Sequence, residues 1–320
     1  MAEAFNTLAQ LIYINDQNLA DLDVTDLLED APLLQVILAV NSSNGTQHKY
    51  LKQTLTSSAA FRAVGAGLTK TPSQDTLVTD TLKILDGSFD CDLALADAFK
   101  AGRDAYLQRE LIRTLKRQMF QVESQILLGT GNDAGGFAGL ADDGQLDAVA
   151  DTMVYNGGGT TADINTSVYL IRSGENDCAV VLGSDGDEAQ GTIKVEDPVV
   201  IEKVVDPGTD NKTYPALYVA AEGYIGFQIG GAYSAARIAN INGTDANASL
   251  DDDMLFEALA LFPSGRQPTQ IAMNRAAQKM LRASRTATNA TGAPAPRPTE
   301  VEGIPIVVTD GITSTEAVLA

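Results

Sequence analysis

The stretch from Ala101 to Leu140, AGRDAYLQRELIRTLKRQMFQVESQILLGTGNDAGGFAGL, constrains the fold more than any other part of the chain. Leu107, Leu111, Leu115, Met119, Val122 and Ile126 recur in it at steps of four, four, four, three and four, the spacing that lines apolar side chains along one helical face. The opposite face carries Arg109, Arg113, Lys116 and Arg117, to be wetted or paired with acids. With no proline before Gly129, the pattern predicts one helix from Arg103 of about 26 residues, roughly 39 Å long. No heptad repeat continues beyond it, so the rod is expected as the spine of one domain, packed through those six residues.

The helix stops at Leu127-Leu128-Gly129-Thr130-Gly131, where glycine supplies the positive φ of a C-cap and Asn132, Asp133, Gly135, Gly136 and Gly139 continue as turn material. This glycine run is not read as a phosphate cradle. Such a cradle follows a strand and opens a helix, whereas this run closes one and contains no lysine.

These residues resemble the spine-helix signature of tailed-bacteriophage major capsid proteins of the Hong Kong 97 fold: a long charged helix, Leu-Leu-Gly-Thr-Gly, a short polar loop, then Gly139-Leu140. A second match lies near the end of the chain. Ile271-Ala272-Met273-Asn274 leads into a helix around Met280 and Leu281, and after a loose loop comes Val301-Glu302-Gly303-Ile304-Pro305-Ile306-Val307-Val308. In that family a strand ending in Met-Asn, a helix and a Gly-Ile-Pro-Val-Val-like strand follow one another near the capsomer axis.

At 320 residues, 44% of them hydrophobic, the chain is globular and long enough for two moderate domains or one elaborated domain. Its 42 Asp and Glu against 22 Lys and Arg give a formal charge of −20. That argues against a nucleic-acid reader, which needs clustered Lys and Arg, and suits a wall around packaged DNA that must not stick to it, although solubility is the commoner reason for negative charge. Cys91 and Cys178 have no metal-ligand spacing and are expected as reduced structural thiols. The start Met-Ala-Glu-Ala-Phe lacks a basic leader region, and the apolar run from Ala31 to Val40 is too short to span a bilayer, so a protein made in the cytoplasm is expected.

In chain order, Phe5 to Leu28 reads as an arm with one or two short helices, ended by Asp30-Ala31-Pro32. Polar, Thr-rich segments at Lys49 to Thr56 and Thr76 to Leu85 flank a small-residue centre, Ser57 to Ser73, which predicts a long hairpin from about Thr46 to Leu85. It is too poor in apolar residues to hold a core of its own. From the residues alone it either folds back on its own domain or reaches a neighbour. The resemblance implies the neighbour, with Phe61 and Arg62 near the tip and Lys49, Lys52 and Lys70 as the candidate intersubunit contacts.

After the spine, strand signals dominate from Val168 to Ile241 and predict an antiparallel sheet on the spine helix. Val168 to Arg172 and Cys178 to Leu182 flank Ser173-Gly174-Glu175-Asn176-Asp177 as a hairpin would. These strands precede the Gly-Ile-Pro strand, whereas the commonest family pattern puts such strands after it, and a permuted strand order would account for that. A helix from Leu250 to Phe262, a strand from Gln270 to Met273 and a helix from Arg275 to about Arg285 complete a mixed domain.

Enzyme chemistry finds no foothold. His48 is the one histidine and is expected at the surface of the hairpin. Ser184-Asp185-Gly186-Asp187-Glu188 lacks the spacing of a calcium loop, and Asp251 to Asp253 suits a helix N-terminus. No catalytic residue, metal site or cofactor is expected.

The expected fold class is therefore α+β. Residues 1–45 form an N-terminal arm, 46–90 the extended hairpin, 91–242 a peripheral domain with spine and sheet, and 243–320 a mixed axial domain. The resemblance implies a major capsid protein, a homo-oligomer whose pentamers and hexamers close a shell around double-stranded DNA without sequence-specific binding or a membrane. It further implies portal, scaffold and possibly cement proteins as partners, and the virion as location. An encapsulin-like nanocompartment shell is the alternative within the fold, and a soluble hydrolytic or metal-dependent enzyme the alternative outside it.

Overall fold

The computed structural model describes residues 13–14, 17–18, 28, 30–55, 57–183, 193–206, 210–245, 247–289 and 293–320. Tyr13–Ile14 (β1) pairs with Gln17–Asn18 (β2). The helices expected between Phe5 and Leu28, and the Ser184 to Glu188 turn, lie otherwise outside the described residues. A 3-10 turn, Pro32–Gln35, leads to Ala39–Asn41 (β3), then Gln47–Leu55 (β4), Gln74–Thr81 (β5), Lys83–Asp86 (β6) and Phe89–Asp92 (β7). Helix Leu93–Asp97 (α1) precedes the spine helix Arg103–Leu128 (α2), and Gly102 joins them at φ 94°. Beyond the spine come Val154–Asn156 (β8), Thr166–Ile171 (β9), Cys178–Leu182 (β10), Lys194–Val195 (β11), Val199–Asp206 (β12), Asp210–Val219 (β13), Ala221–Ile229 (β14) and Ala235–Ile241 (β15). Helix Asp252–Ala260 (α3), Gln270–Met273 (β16), helix Arg275–Ala287 (α4), Glu300–Val301 (β17) and Ile304–Val308 (β18) close the chain.

The strands sort into sheets in a way that sequence proximity does not announce. A six-stranded sheet runs β17-β18-β16-β9-β15-β8, and a five-stranded one runs β11-β14-β10-β3 with β6 added along β14. A three-stranded sheet runs β12-β13-β7. The stretch from Val168 to Leu182 is therefore not a hairpin. β9 belongs to the six-stranded sheet and β10 to the five-stranded one, and the turn between them hands the chain from one to the other. Both strands are buried along their whole length, as apolar runs covered on two faces must be.

The division drawn at residue 242 likewise cuts through one sheet. β9 and β15 lie before it, yet β9 pairs directly with β16 through Ile171↔Gln270 and Ala272↔Tyr169. The early strands that a permuted order would explain are thus an excursion. The chain enters the six-stranded sheet at β8 and β9, leaves to build the five- and three-stranded sheets, and returns at β15.

The spine crosses the junction between these sheets. Leu107, Leu115, Met119, Val122 and Ile126 are buried and Leu111 is partly buried against the same core. Toward its C-terminal end the helix is enclosed nearly all round, so that Gln118, Glu123, Ser124 and Gln125 are buried with the apolar stripe. It ends at Gly129, φ 55°, and a Cβ there would meet the Asp142 carboxylate and the Gly139 nitrogen. Gly139 in turn lies against the Gln125 carbonyl, so the two glycines let loop and helix end touch backbone to backbone.

Asn274, the Asn of the Met-Asn pair, does two jobs at the end of β16, an inner strand of the six-stranded sheet. Its Oδ1 accepts from the Ala277 amide at 2.8 Å and caps α4. Its Nδ2 donates to Thr166 Oγ1 at 2.8 Å and Ser314 Oγ at 2.9 Å, tying β9 to the C-terminal segment.

Glu123 is the one fully buried carboxylate on the spine. It accepts from the Leu33 amide at 2.7 Å and from the Thr309 hydroxyl, so the turn after the N-terminal arm and the end of β18 meet on one side chain. Burial raises its pKa from 4.5 to about 7; the hydrogen bonds from Thr309, Leu33 and Leu34 oppose the rise and nearby Asp310 adds to it. An acid whose folded pKa is raised stabilises the fold fully below its unfolded pKa, and that contribution is lost as pH rises through the folded one. The loss between pH 4.5 and about 7 amounts to roughly 3 kcal/mol at about 1.4 kcal/mol per unit. Glu123→Gln, which keeps an acceptor for Leu33 and no charge, should match the parent in thermal unfolding at pH 5 and exceed it at pH 8. Equal gains at both pH values would mean that ionisation of Glu123 is not the cause.

Candidate assembly interface

The hairpin is built as two extended strands whose register runs from Gln47↔Thr81 to Leu55↔Gln74, with one irregularity between Gln53 and Leu55. Thr, Val and alternating polar residues favour the extended form, and a nine-residue strand reaches about 30 Å at ~3.4 Å per residue. Two strands alone do not make a stable sheet, so the root must be held by something else.

Alternate residues of β4 supply that hold. His48 Nε2 lies 2.7 Å from Gln228 Oε1 on β14, and its ring stacks on Tyr50 at 5.7 Å. The histidine expected at the surface is therefore half-buried against the five-stranded sheet. Tyr50 faces Asp80 across the hairpin; burial, then the Asp80 charge, pushes its hydroxyl above the usual tyrosine range. Asp80 is itself raised by burial, with the Tyr50 hydrogen bond and the His48 and Lys52 charges opposing. Lys52 Nζ sits 3.3 Å from Asp143, both largely buried, beside a cavity of about 280 Å³. Asp143 follows the loop that Gly129 and Gly139 lock to the spine, so the hairpin root is referred to the spine itself.

The tip is the opposite in character. Every residue from Ser57 to Ser73 is exposed, including Phe61, Val64 and Leu68. Its hydrogen bonds are local: the Ser58 amide to the Thr71 carbonyl at 3.0 Å, and Arg62 Nη1 to the Ala66 carbonyl at 3.4 Å. Arg62 and Lys70 are its charges, with no acid between Ser57 and Ser73. Of the five residues expected at an intersubunit contact, the structure groups Phe61, Arg62 and Lys70 at the tip and places Lys49, also exposed, near the root. Lys52 is engaged with its own body, an assignment that its place in the sequence did not reveal.

The cationic face of the spine is partly neutralised within the helix. Arg109 and Arg113 both reach Glu110, at 3.1 and 2.9 Å, while Arg109 also lies over the Phe99 ring and Arg117 over Phe120. Arg113, Arg117, Ile84 and Leu85 border an open groove of about 580 Å³ beside the five-stranded sheet.

The family described as major capsid protein GP7 matches residues 16–320, and the chain belongs to that family. No curated protein matches the sequence. Among solved structures, a chain of bacteriophage Epsilon15 gives a TM-score of 0.62 at 19% identity, covering 89% of each chain. A chain of the bacteriophage JBD30 capsid gives 0.47 at 12% identity over 88% of this chain and 91% of that one. A chain of the SrpI encapsulin complex from Synechococcus elongatus gives 0.41 at 11% identity over 67% of this chain and 88% of that one. The fold is that of Hong Kong 97-like phage capsids, and the family is a structural one, not an enzyme family. A major capsid protein is a component of the virion, which decides against the nanocompartment reading. Among the described residues no helix is long and apolar enough to cross a membrane.

Lys52→Ala should speed hydrogen exchange of the 47–55 and 74–81 amides and leave the six-stranded sheet unchanged, with a Lys52/Asp143 double-mutant coupling of about 1 kcal/mol. Unchanged exchange in the hairpin would remove the anchoring role from this pair.

Proposed function

We propose that this capsid subunit builds its shell by reaching over a neighbouring copy with the 46–90 hairpin. The spine, the five-stranded sheet and the three-stranded sheet act as the stiff peripheral plate, and the six-stranded sheet with α3 and α4 gathers around the capsomer axis. The observation that carries this reading is the contrast along one hairpin: a root locked to its own body and a tip whose aromatic, aliphatic and basic side chains are all exposed. Exposed apolar groups of this size on a rigid arm mark a contact with another molecule.

Contacts between unlike patches close into rings when the rotation between copies permits, here pentamers and hexamers that tile a closed shell around double-stranded DNA. Many such contacts sum, so each can be weak enough to reverse during assembly. The formal charge of −20 keeps the inner wall from binding the DNA it encloses. A portal protein and a scaffold, with a cement protein as an optional addition, complete the proposed set of partners.

Expression with the neighbouring genes, followed by size-exclusion chromatography and negative-stain electron microscopy, tests the whole proposal through shells or five- and six-fold rings. Arg62→Glu should lower shell yield while subunit circular dichroism and unfolding stay as in the parent. Normal shells at normal yield would remove the bridging role from the hairpin tip.

A further inference from the structure

Among the described residues the three-stranded sheet has an open edge. β12 pairs with β13 on one side, through Val199↔Tyr218 to Asp206↔Asp210, and forms the outer strand of the order β12-β13-β7. It is eight residues long, where about five to six is typical of a strand. Val199 and Val200, which point to opposite faces, are 55% and 56% exposed, and Val204 is exposed as well. Across the ladder, Ala216 and Leu217 are buried, so the sheet rests on the body through β13 and leaves β12 at the rim. A long edge of this kind, with β-branched apolar side chains on both faces, is a template for another chain.

The charge on this edge selects its occupant. Glu202 is exposed on β12 and Asp197 is exposed two residues before its start, while Lys203 is engaged by Asp90 of β7 and Lys194 by Glu196. The edge is thus acidic and apolar. In this chain the acidic stretch from Asp16 to Asp30, with no Lys or Arg before Lys49, would be repelled by it. The hairpin tip complements it: Phe61, Val64 and Leu68 supply apolar groups, and Arg62 and Lys70 supply positive charge. The tip is exposed throughout and bonded only to itself by the contacts described above, so it does not occupy the edge of its own subunit.

We infer that β12 of one subunit is the seat for the hairpin tip of a second copy, which lies along the open edge with Phe61 against Val199 or Val200 and with Arg62 and Lys70 facing Asp197 and Glu202. This rests on the bridging hairpin proposed above and names its receiving surface. Main-chain pairing along the edge supplies affinity, and the charges set which way the tip lies.

Charge exchange and crosslinking test the seat. Arg62→Glu/Lys70→Glu and Asp197→Lys/Glu202→Lys should each lower shell yield by about tenfold, and all four substitutions together should recover it. In shells, Phe61→Cys combined with Val200→Cys should give an oxidant-dependent ladder of covalent multimers that neither single variant gives. If Asp197→Lys/Glu202→Lys assembles normally and no ladder forms while Arg62→Glu/Lys70→Glu still fails, the seat lies elsewhere and the bridging hairpin stands. If Arg62→Glu/Lys70→Glu assembles normally, both readings fall. Should a charge variant not fold, the presence or absence of the cysteine ladder decides.

Discussion

The fold depends on one constraint: the second half of the spine helix is buried, and its polar side chains must still be paired. A buried polar group without a partner costs about 1–3 kcal/mol, so each such residue dictates what lies next to it. Gln118 donates from Nε2 to the Ala221 carbonyl at 2.9 Å and fixes the start of β14, although its Oε1 is buried without a partner. Glu123 takes the Leu33 amide and the Thr309 hydroxyl and so joins both ends of the folded chain to the middle. Gln125 donates to the Phe137 carbonyl at 2.7 Å and holds the glycine loop against the helix end. The apolar stripe supplies most of the burial, but it is non-directional. These three side chains give the helix its register against four separate parts of the molecule.

A second paired network holds the six-stranded sheet. Arg237 on β15 donates to Ser167 on β9, to the Leu146 carbonyl and to Glu316 near the end of the chain, and its guanidinium lies over the Tyr169 ring. Removing one member would leave a buried charge without its partner, which is more damaging than never having had the pair. With Asn274 this locks strand order and tail together. Stiffness in the body matters for the bridging role proposed for the arm: a contact made about 30 Å from the root transmits position only if the root does not rotate.

Much of this was legible in the sequence, and the reasons differ by element. The spine could be read because six apolar residues at helical spacing have a single explanation. The hairpin could be read from the change in composition at its two arms, and the succession of β16, α4 and β18 from the family resemblance carried by Met273-Asn274 and Gly303-Ile304-Pro305. Partnership between distant strands could not. β9 and β10 are adjacent and equally apolar, and nothing local tells that the turn between them changes sheets. Nor does the pattern expose Glu123, which falls among residues that read as a wetted helix face until the 31–37 segment covers it. Lys52 resembled Lys49 in sequence, three residues away on the same strand. Only the fold shows Asp143 beside one of them.

Charge brings the two halves of the structure together. Copies carrying −20 each repel at long range, and salt confines that repulsion to about 8 Å at physiological ionic strength. Attraction must then come from contacts shorter than that distance, and they must be apolar or locally of the opposite sign. Much of the spine's basic face is already occupied, by Glu110 and by aromatic rings on its own subunit. The hairpin tip keeps Arg62 and Lys70 with no acid among its neighbours in sequence, carried away from the acidic body that would otherwise neutralise them. In the bridging role proposed for the hairpin, holding the positive apolar patch at the end of an extended arm would let a subunit of net negative charge stay dispersed until a neighbour stands at the right angle. The same separation makes the contact local and sensitive to geometry, as closure of a shell from identical copies requires.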